Sequence, residues 1–195
     1  MSEGMKERDA QRILRKYFLV FQSAWQDFLK ASEKGEFFVP FNEEELRCFL
    51  FAKCLEIMRQ KKFEKPYEIF AEDKEIIKGT RADIALGWLE DGKFVAIELK
   101  HFPSLEGIKA DIKRLQEFVK SRAVFGFFAM IGNSKFEYKK NLNLKDLGIK
   151  LELSEPLEAT LDFNGEGEKS FYQWKLVKFP AAQRPLETLL VGILR

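Results

Sequence analysis

The stretch RADIALGWLEDGKFVAIELKHF, Arg81 to Phe102, constrains the fold more than any other part of the chain. Two runs of alternating polarity flank Asp91-Gly92, a dipeptide suited to the positive φ angles of a tight hairpin turn, so the stretch predicts paired antiparallel strands. With Asp91 and Gly92 as the loop, Glu90 faces Lys93, Ala85 faces Glu98 and Asp83 faces Lys100. Side chains alternate along a strand. Asp83, Ala85 and Gly87 therefore share a face with Ala96, Glu98 and Lys100, and Ile84, Leu86 and Trp88 share the other with Val95, Ile97 and Leu99. One face is apolar, the other small and charged.

This register makes Asp83 and Glu98 diagonal neighbours, about 7 Å apart at the backbone, with carboxylates able to converge. Converging carboxylates repel unless a cation lies between them, and hard oxygen ligands of this kind suit Mg²⁺, with Mn²⁺ as the alternative. A metal so held lowers the pKa of a bound water and steadies charge on phosphate oxygens, the requirements of phosphodiester hydrolysis. Lys100, on the same face, would position or help deprotonate that water. An ordinary solvated face with a surface salt bridge is the competing explanation. The small residues Ala85, Gly87 and Ala96 beside the charges argue for an enclosed face instead.

The hairpin sits within a longer order of elements. Leu14, Phe18, Phe21, Trp25 and Phe28 recur at helical spacing and predict a helix from Lys6 to about Ser32, docked on the core or, alternatively, forming a dimer seam. After Gly35 and Pro40, Asn42 with Glu45 three residues on makes a capping box for a helix from about Glu43 to Gln60. Pro66 ends the connection, and YEIFAEDKEII reads as a first strand before the two of the hairpin. Ser104 caps a helix with Ile108, Ile112, Leu115 and Val119 on one face, and the apolar VFGFFAMIG follows as a strand covered on both sides, which permits a parallel crossover. LGIKLEL, EATLDF and SFYQWKLVKF look like strands, with Asn164-Gly165 in a turn, and RPLETLLVGILR like a closing helix begun by Pro185.

With 195 residues, 46 % of them hydrophobic, the chain suits one domain with a substantial core, to which 20 phenylalanines are assigned. A formal charge of +2 neither announces nor excludes a nucleic-acid partner. Cys48 and Cys54, six apart on a helix, point to different faces and suggest neither a disulfide nor a metal pair. The N-terminus lacks the apolar core of a signal peptide and no run approaches the length of a membrane span, so the expected setting is a reducing cytoplasm without membrane association.

The order helix, three strands, helix, strand over Asn42 to Gly132, with Asp83 at the second strand and Glu98-x-Lys100 on the third, resembles the PD-(D/E)xK nuclease superfamily. The resemblance implies an α/β fold with a restriction-endonuclease-like αβββαβ core, a mixed central sheet flanked by helices. Residues 1–41 would be an N-terminal helical extension, 42–132 the core and 133–195 a C-terminal β-rich extension. It implies a metal-dependent deoxyribonuclease with Asp83, Glu98 and Lys100 as catalytic residues and Asp83 and Glu98 as metal ligands. A further ligand is implied on the first core helix, where Glu43, Glu44 and Glu45 are available and Glu45 is favoured; capping explains Glu45 equally well. Glu72 matches an acidic position of some members. The DIKRLQEF segment offers Asp111, Arg114 and Gln116 facing the site. Arg81, Arg114, Gln116, Lys139 and Lys140 are the expected nucleic-acid contacts, and a homodimer would suit cleavage of both strands of a duplex.

Members of similar fold also serve as binding modules, so a catalytically inactive nucleic-acid-binding or scaffold protein is the alternative. A protein-binding module using the Phe18 to Phe28 helix is a third. His101 is expected on the apolar face, and DFNGEGEKS, without the ligand spacing of a calcium loop or the Gly-Lys-Ser order of a phosphate loop, in a hairpin turn.

Overall fold

The computed structural model describes residues 3–36, 40, 42–60, 68–71, 75–77, 80–88, 93–121, 125–149, 151–152, 170–180 and 184–194. Helix α1 spans Glu3–Glu33 and α2 Glu43–Gln60. The start of α2 follows from its cap, since Asn42 Oδ1 accepts from the Glu45 backbone N–H at 2.9 Å and Glu43, Glu44 and Glu45 complement the positive end of the helix dipole. Strands β1 (Glu68–Ala71), β2 (Glu75–Ile77), β3 (Thr80–Arg81), β4 (Ile84–Trp88) and β5 (Lys93–His101) come next. Then follow α3 (Leu105–Ser121), begun by the Ser104 hydroxyl accepting from the Gly107 N–H, β6 (Phe125–Asn133) and the single turn α4 (Tyr138–Asn141). The last elements are β7 (Leu151–Glu152), β8 (Ser170–Val177) and β9 (Leu186–Leu194).

Seven strands make one mixed sheet in the order β1-β4-β5-β6-β9-β8-β7, and β2 pairs with β3 in a separate ribbon. β5 and β6 are parallel, joined by the α3 crossover as expected. Helices cover both faces, giving three layers. Under α1 and α2 lie Ile84, Leu86, Val95, Ile97, Leu99 and Phe127, and the Phe18 and Phe21 rings stand 4.4 and 4.8 Å from that of Phe127. Each buried aromatic of this kind contributes about 1.5–3 kcal/mol. Phe18, Phe21, Trp25 and Phe28 are all buried within the chain, so the helical stripe read as a possible seam or partner surface is used on the chain's own sheet. Under α3 lie Ala85, Ala96, Phe128, Met130, Leu189 and Val191. Gly126 lets α3 approach this closely, because a Cβ there would lie 2.7 Å from Leu115 Cδ1.

Three expectations are corrected. RPLETLLVGILR does not form a closing helix: residues 186–194 are β9, antiparallel to both β6 and β8 near the middle of the sheet. A strand covered on both faces shows no alternation, so its run of leucines fits either period, and Thr188, Val191 and Ile193 are the β-branched clue. The C-terminal strands β8 and β9 are thus part of the main sheet and not an extension of it. YEIFAEDKEII divides, β1 joining β4 in the main sheet and β2 joining β3 in the ribbon. Finally, the hairpin register runs Ile84↔Ile97 to Trp88↔Lys93, two residues from the expected one. Trp88↔Lys93 is the last described pair before positions 89–92, which lie outside the described residues. A shift of two preserves the faces, so the separation into apolar and charged sides holds.

The Asp91-Gly92 turn, Pro66, Glu72, EATLDF, Asn164-Gly165 and most of DFNGEGEKS lie outside the described residues. Cys48 is exposed and Cys54 buried, both free, as their spacing predicts. Among the described residues no helix is long and apolar enough to cross a membrane.

Candidate active site

The charged face of the hairpin meets α3 near the C-terminal end of β5. Asp83 immediately precedes β4, just where the β4–β5 ladder ends at Ile84↔Ile97. Its Oδ2 accepts from the Leu99 backbone N–H at 2.6 Å, so the carboxylate takes up an amide beyond the last paired residues. Glu98 lies next to Leu99 with 1 % of its surface exposed. Arg114, from α3, donates through Nε and Nη2 to the two Glu98 oxygens, and its Nη2 lies 2.8 Å from Asp111 Oδ1. Lys100 Nζ donates to Glu43 Oε1 at 2.9 Å and lies 3.6 Å from Asp111 Oδ2.

Glu43, Lys100, Asp111, Arg114 and Glu98 thus form one continuous chain of opposite charges, with Asp83 alongside Glu98. Four carboxylates surround two cations, a formal surplus of two negative charges; nearby Arg47 pairs at 2.9 Å with Glu44. Burial pushes Asp83 up to about 6, against the Leu99 amide and the Lys100 charge, which favour its ionised form. Burial likewise pushes Glu98 up to about 8; the Arg114 hydrogen bond opposes this and the charge of Asp83 adds to it. Burial works against the Lys100 ammonium, but its bond to Glu43 and the charges of Asp111 and Asp83 outweigh that and hold its pKa above the ordinary value. In this arrangement Lys100 is placed as a cation and hydrogen-bond donor to Glu43.

These residues suit a hard divalent cation in charge and donor type. Asp111 Oδ2 is buried without a hydrogen bond and faces the Lys100 ammonium at 3.6 Å, so Lys100 as well as Arg114 is a counter-ion of the cluster. The obstacle is Arg114, which occupies both Glu98 oxygens and must move before a metal can use them. In line with this, no group of three or more His, Cys, Asp or Glu side chains among the described residues is arranged to hold a metal.

Of the residues singled out by sequence, Asp83, Glu98, Lys100, Asp111 and Arg114 come together. Glu45 is exposed at the helix start, and the first-turn glutamate bonded to Lys100 is Glu43. Sequence held the signal, because Glu43 continues the buried stripe Leu46, Leu50, Cys54 and Ile57 by one helical step. Asp111, expected to face the site, lies buried beside Ile108, Ile112 and Leu115. Gln116 turns from the site and donates to the Leu147 carbonyl at 2.6 Å, bracing the turn after α4. Arg81 is exposed on β3, Lys139 and Lys140 are exposed on α4, and His101 is half-buried with Nε2 lacking a partner.

Compared with protein-family models, with curated proteins and with solved structures, the chain finds no match.

Proposed function

We propose that the chain is a Mg²⁺-dependent nuclease with a restriction-endonuclease-like core, hydrolysing phosphodiester bonds in DNA. The observation that carries this reading is the convergence of the buried carboxylates of Asp83, Glu98 and Asp111 with Lys100 at the C-terminal end of β5. Asp83 and Glu98 would hold the metal, Mg²⁺ or Mn²⁺, which when bound supplies an activated water and stabilises charge on the phosphate. Lys100, fixed as an ammonium by Glu43 and Asp111, holds the attacking water or a phosphate oxygen. Arg114, released from Glu98, offers its planar fork to another phosphate oxygen. Water oxygen bonds to phosphorus, the bridging P–O bond breaks, and the departing oxygen takes a proton.

Hydrolysis of plasmid, linear, single-stranded and branched DNA with and without Mg²⁺ tests this. Wild type should cleave at least one of these only with Mg²⁺, and Asp83→Asn should lose about 10²-fold or more while staying folded by circular dichroism. Full activity in that variant would remove Asp83 from the mechanism.

The second reading is a non-catalytic nucleic-acid-binding or scaffold module on the same frame. The bidentate hold of Arg114 on Glu98 favours it, because the protein then supplies its own counter-ion. It expects DNA binding without cleavage of any substrate.

A further inference from the structure

We propose that Phe102 and Phe136 form a base-stacking ledge for unpaired nucleic acid beside the acidic site. The inference rests on the nuclease reading for the class of ligand and goes beyond it in naming the form bound, a single strand, flap or frayed end. Among the described residues the large hydrophobic side chains left exposed are Phe102 at 43 %, Phe136 at 50 % and Leu176 at 67 %. The two phenylalanines follow the ends of β5, which carries Glu98 and Lys100, and of its parallel neighbour β6. Ligands of open α/β sheets bind outside such carboxyl ends.

Phe102 is held outward by its backbone. Its φ is 51°, in the left-handed region that a bulky side chain adopts only when its surroundings impose it. Its N–H donates to the Ile131 carbonyl at 2.7 Å, and the His101 ring stacks on its own at 4.3 Å. The next residue, Pro103, accepts from the Tyr138 hydroxyl at 2.8 Å, and the Tyr138 ring lies 5.8 Å from that of Phe136. Tyr138 is buried over Gly132, where a Cβ would come within 2.3 Å of its ring, so both aromatics belong to one fixed frame. Phe102 directly follows β5, two residues past Lys100 in the chain.

The surroundings suit a phosphate backbone. Lys135 Nζ lies 4.9 Å over the Phe136 ring, and Lys139 and Lys140 follow on α4. Glu137 pairs with Lys140, and Glu187 accepts from the Lys139 backbone N–H, so the segment keeps a positive excess. Exposed aromatic faces with adjacent lysines stack bases without reading sequence, whereas in a duplex neighbouring bases already cover those faces.

The test is fluorescence anisotropy of a labelled oligothymidylate and of a duplex of equal length, in EDTA, with wild type, Phe102→Ala, Phe136→Ala and Phe136→Trp. Each alanine should weaken single-strand binding by about 5- to 150-fold, with little change for the duplex, and Phe136→Trp should retain it. Equal single-strand affinity in wild type and both alanine variants would overturn the ledge and leave the nuclease reading standing. Loss of a sedimenting dimer in the alanine variants, with DNA affinity intact, would overturn it in favour of a second copy of the chain. Failure of wild type to bind either DNA would overturn the ledge, while Mg²⁺-dependent cleavage decides the nuclease reading separately. Should Phe102→Ala fail to fold, Phe136→Ala decides alone.

Discussion

A carboxyl group buried as deeply as Glu98 stays in a folded chain by keeping its proton, pairing with a cation or holding a metal. Glu98 takes the second course here, gripped by Arg114 on both oxygens, while burial pushes its pKa up to about 8. Asp83, Glu98 and Lys100 were legible as a group because alternation puts them on one face in the expected register and in any other that differs from it by two. The glutamate that joins them was not, since capping and site contact make rival demands on the first turn of α2. The contacts separate the two roles. Glu43→Gln, which loosens Lys100, should lower kcat of cleavage by about 10- to 100-fold, whereas Glu45→Gln should change it by less than about threefold. Equal losses in steady-state assays of both variants would contradict this assignment.

Elements were legible in proportion to how one-sided their environment is. Helices α2 and α3 each bury one stripe and carry a side-chain cap, so their bounds followed from spacing and from Asn42 and Ser104. β9 was not legible because both its faces are covered and nothing polar alternates along it. The register of β4 and β5 escaped for a different reason: alternation is blind to a shift of two. The closeness of α3 to β6 yields a prediction at this scale. Gly126→Ala puts a methyl group 2.7 Å from Leu115 Cδ1 and 3.1 Å from Val119 Cγ2, both on buried side chains. It should cost about 1–3 kcal/mol of stability in denaturant titrations. An unchanged midpoint would mean that α3 is free to move away.

At the scale of the whole molecule, three layers close around a sheet that holds two buried carboxyl groups at one corner. Asp83 and Glu98 have folded pKa values above their ordinary 3.8 and 4.5, so the folded chain binds more protons than the unfolded one in the interval between. Their protonated forms favour folding at low pH, and that contribution is lost as pH rises through about 6 and then about 8. In EDTA, Tm should therefore fall from pH 5 to pH 8.5 by more in wild type than in Glu98→Gln, which scanning calorimetry would read. Parallel curves for the two proteins would show that Glu98 does not titrate in this range.

The central claim is that Asp83 and Glu98 are buried together because a divalent cation joins them. Isothermal titration of Mg²⁺ and Mn²⁺ into wild type and Asp83→Asn tests it without depending on the substrate. Binding at a site in the wild-type chain that is lost in the folded variant is the result predicted. No metal binding by folded wild type, or equal binding by both proteins, would contradict it and leave Arg114 as the counter-ion of a binding module.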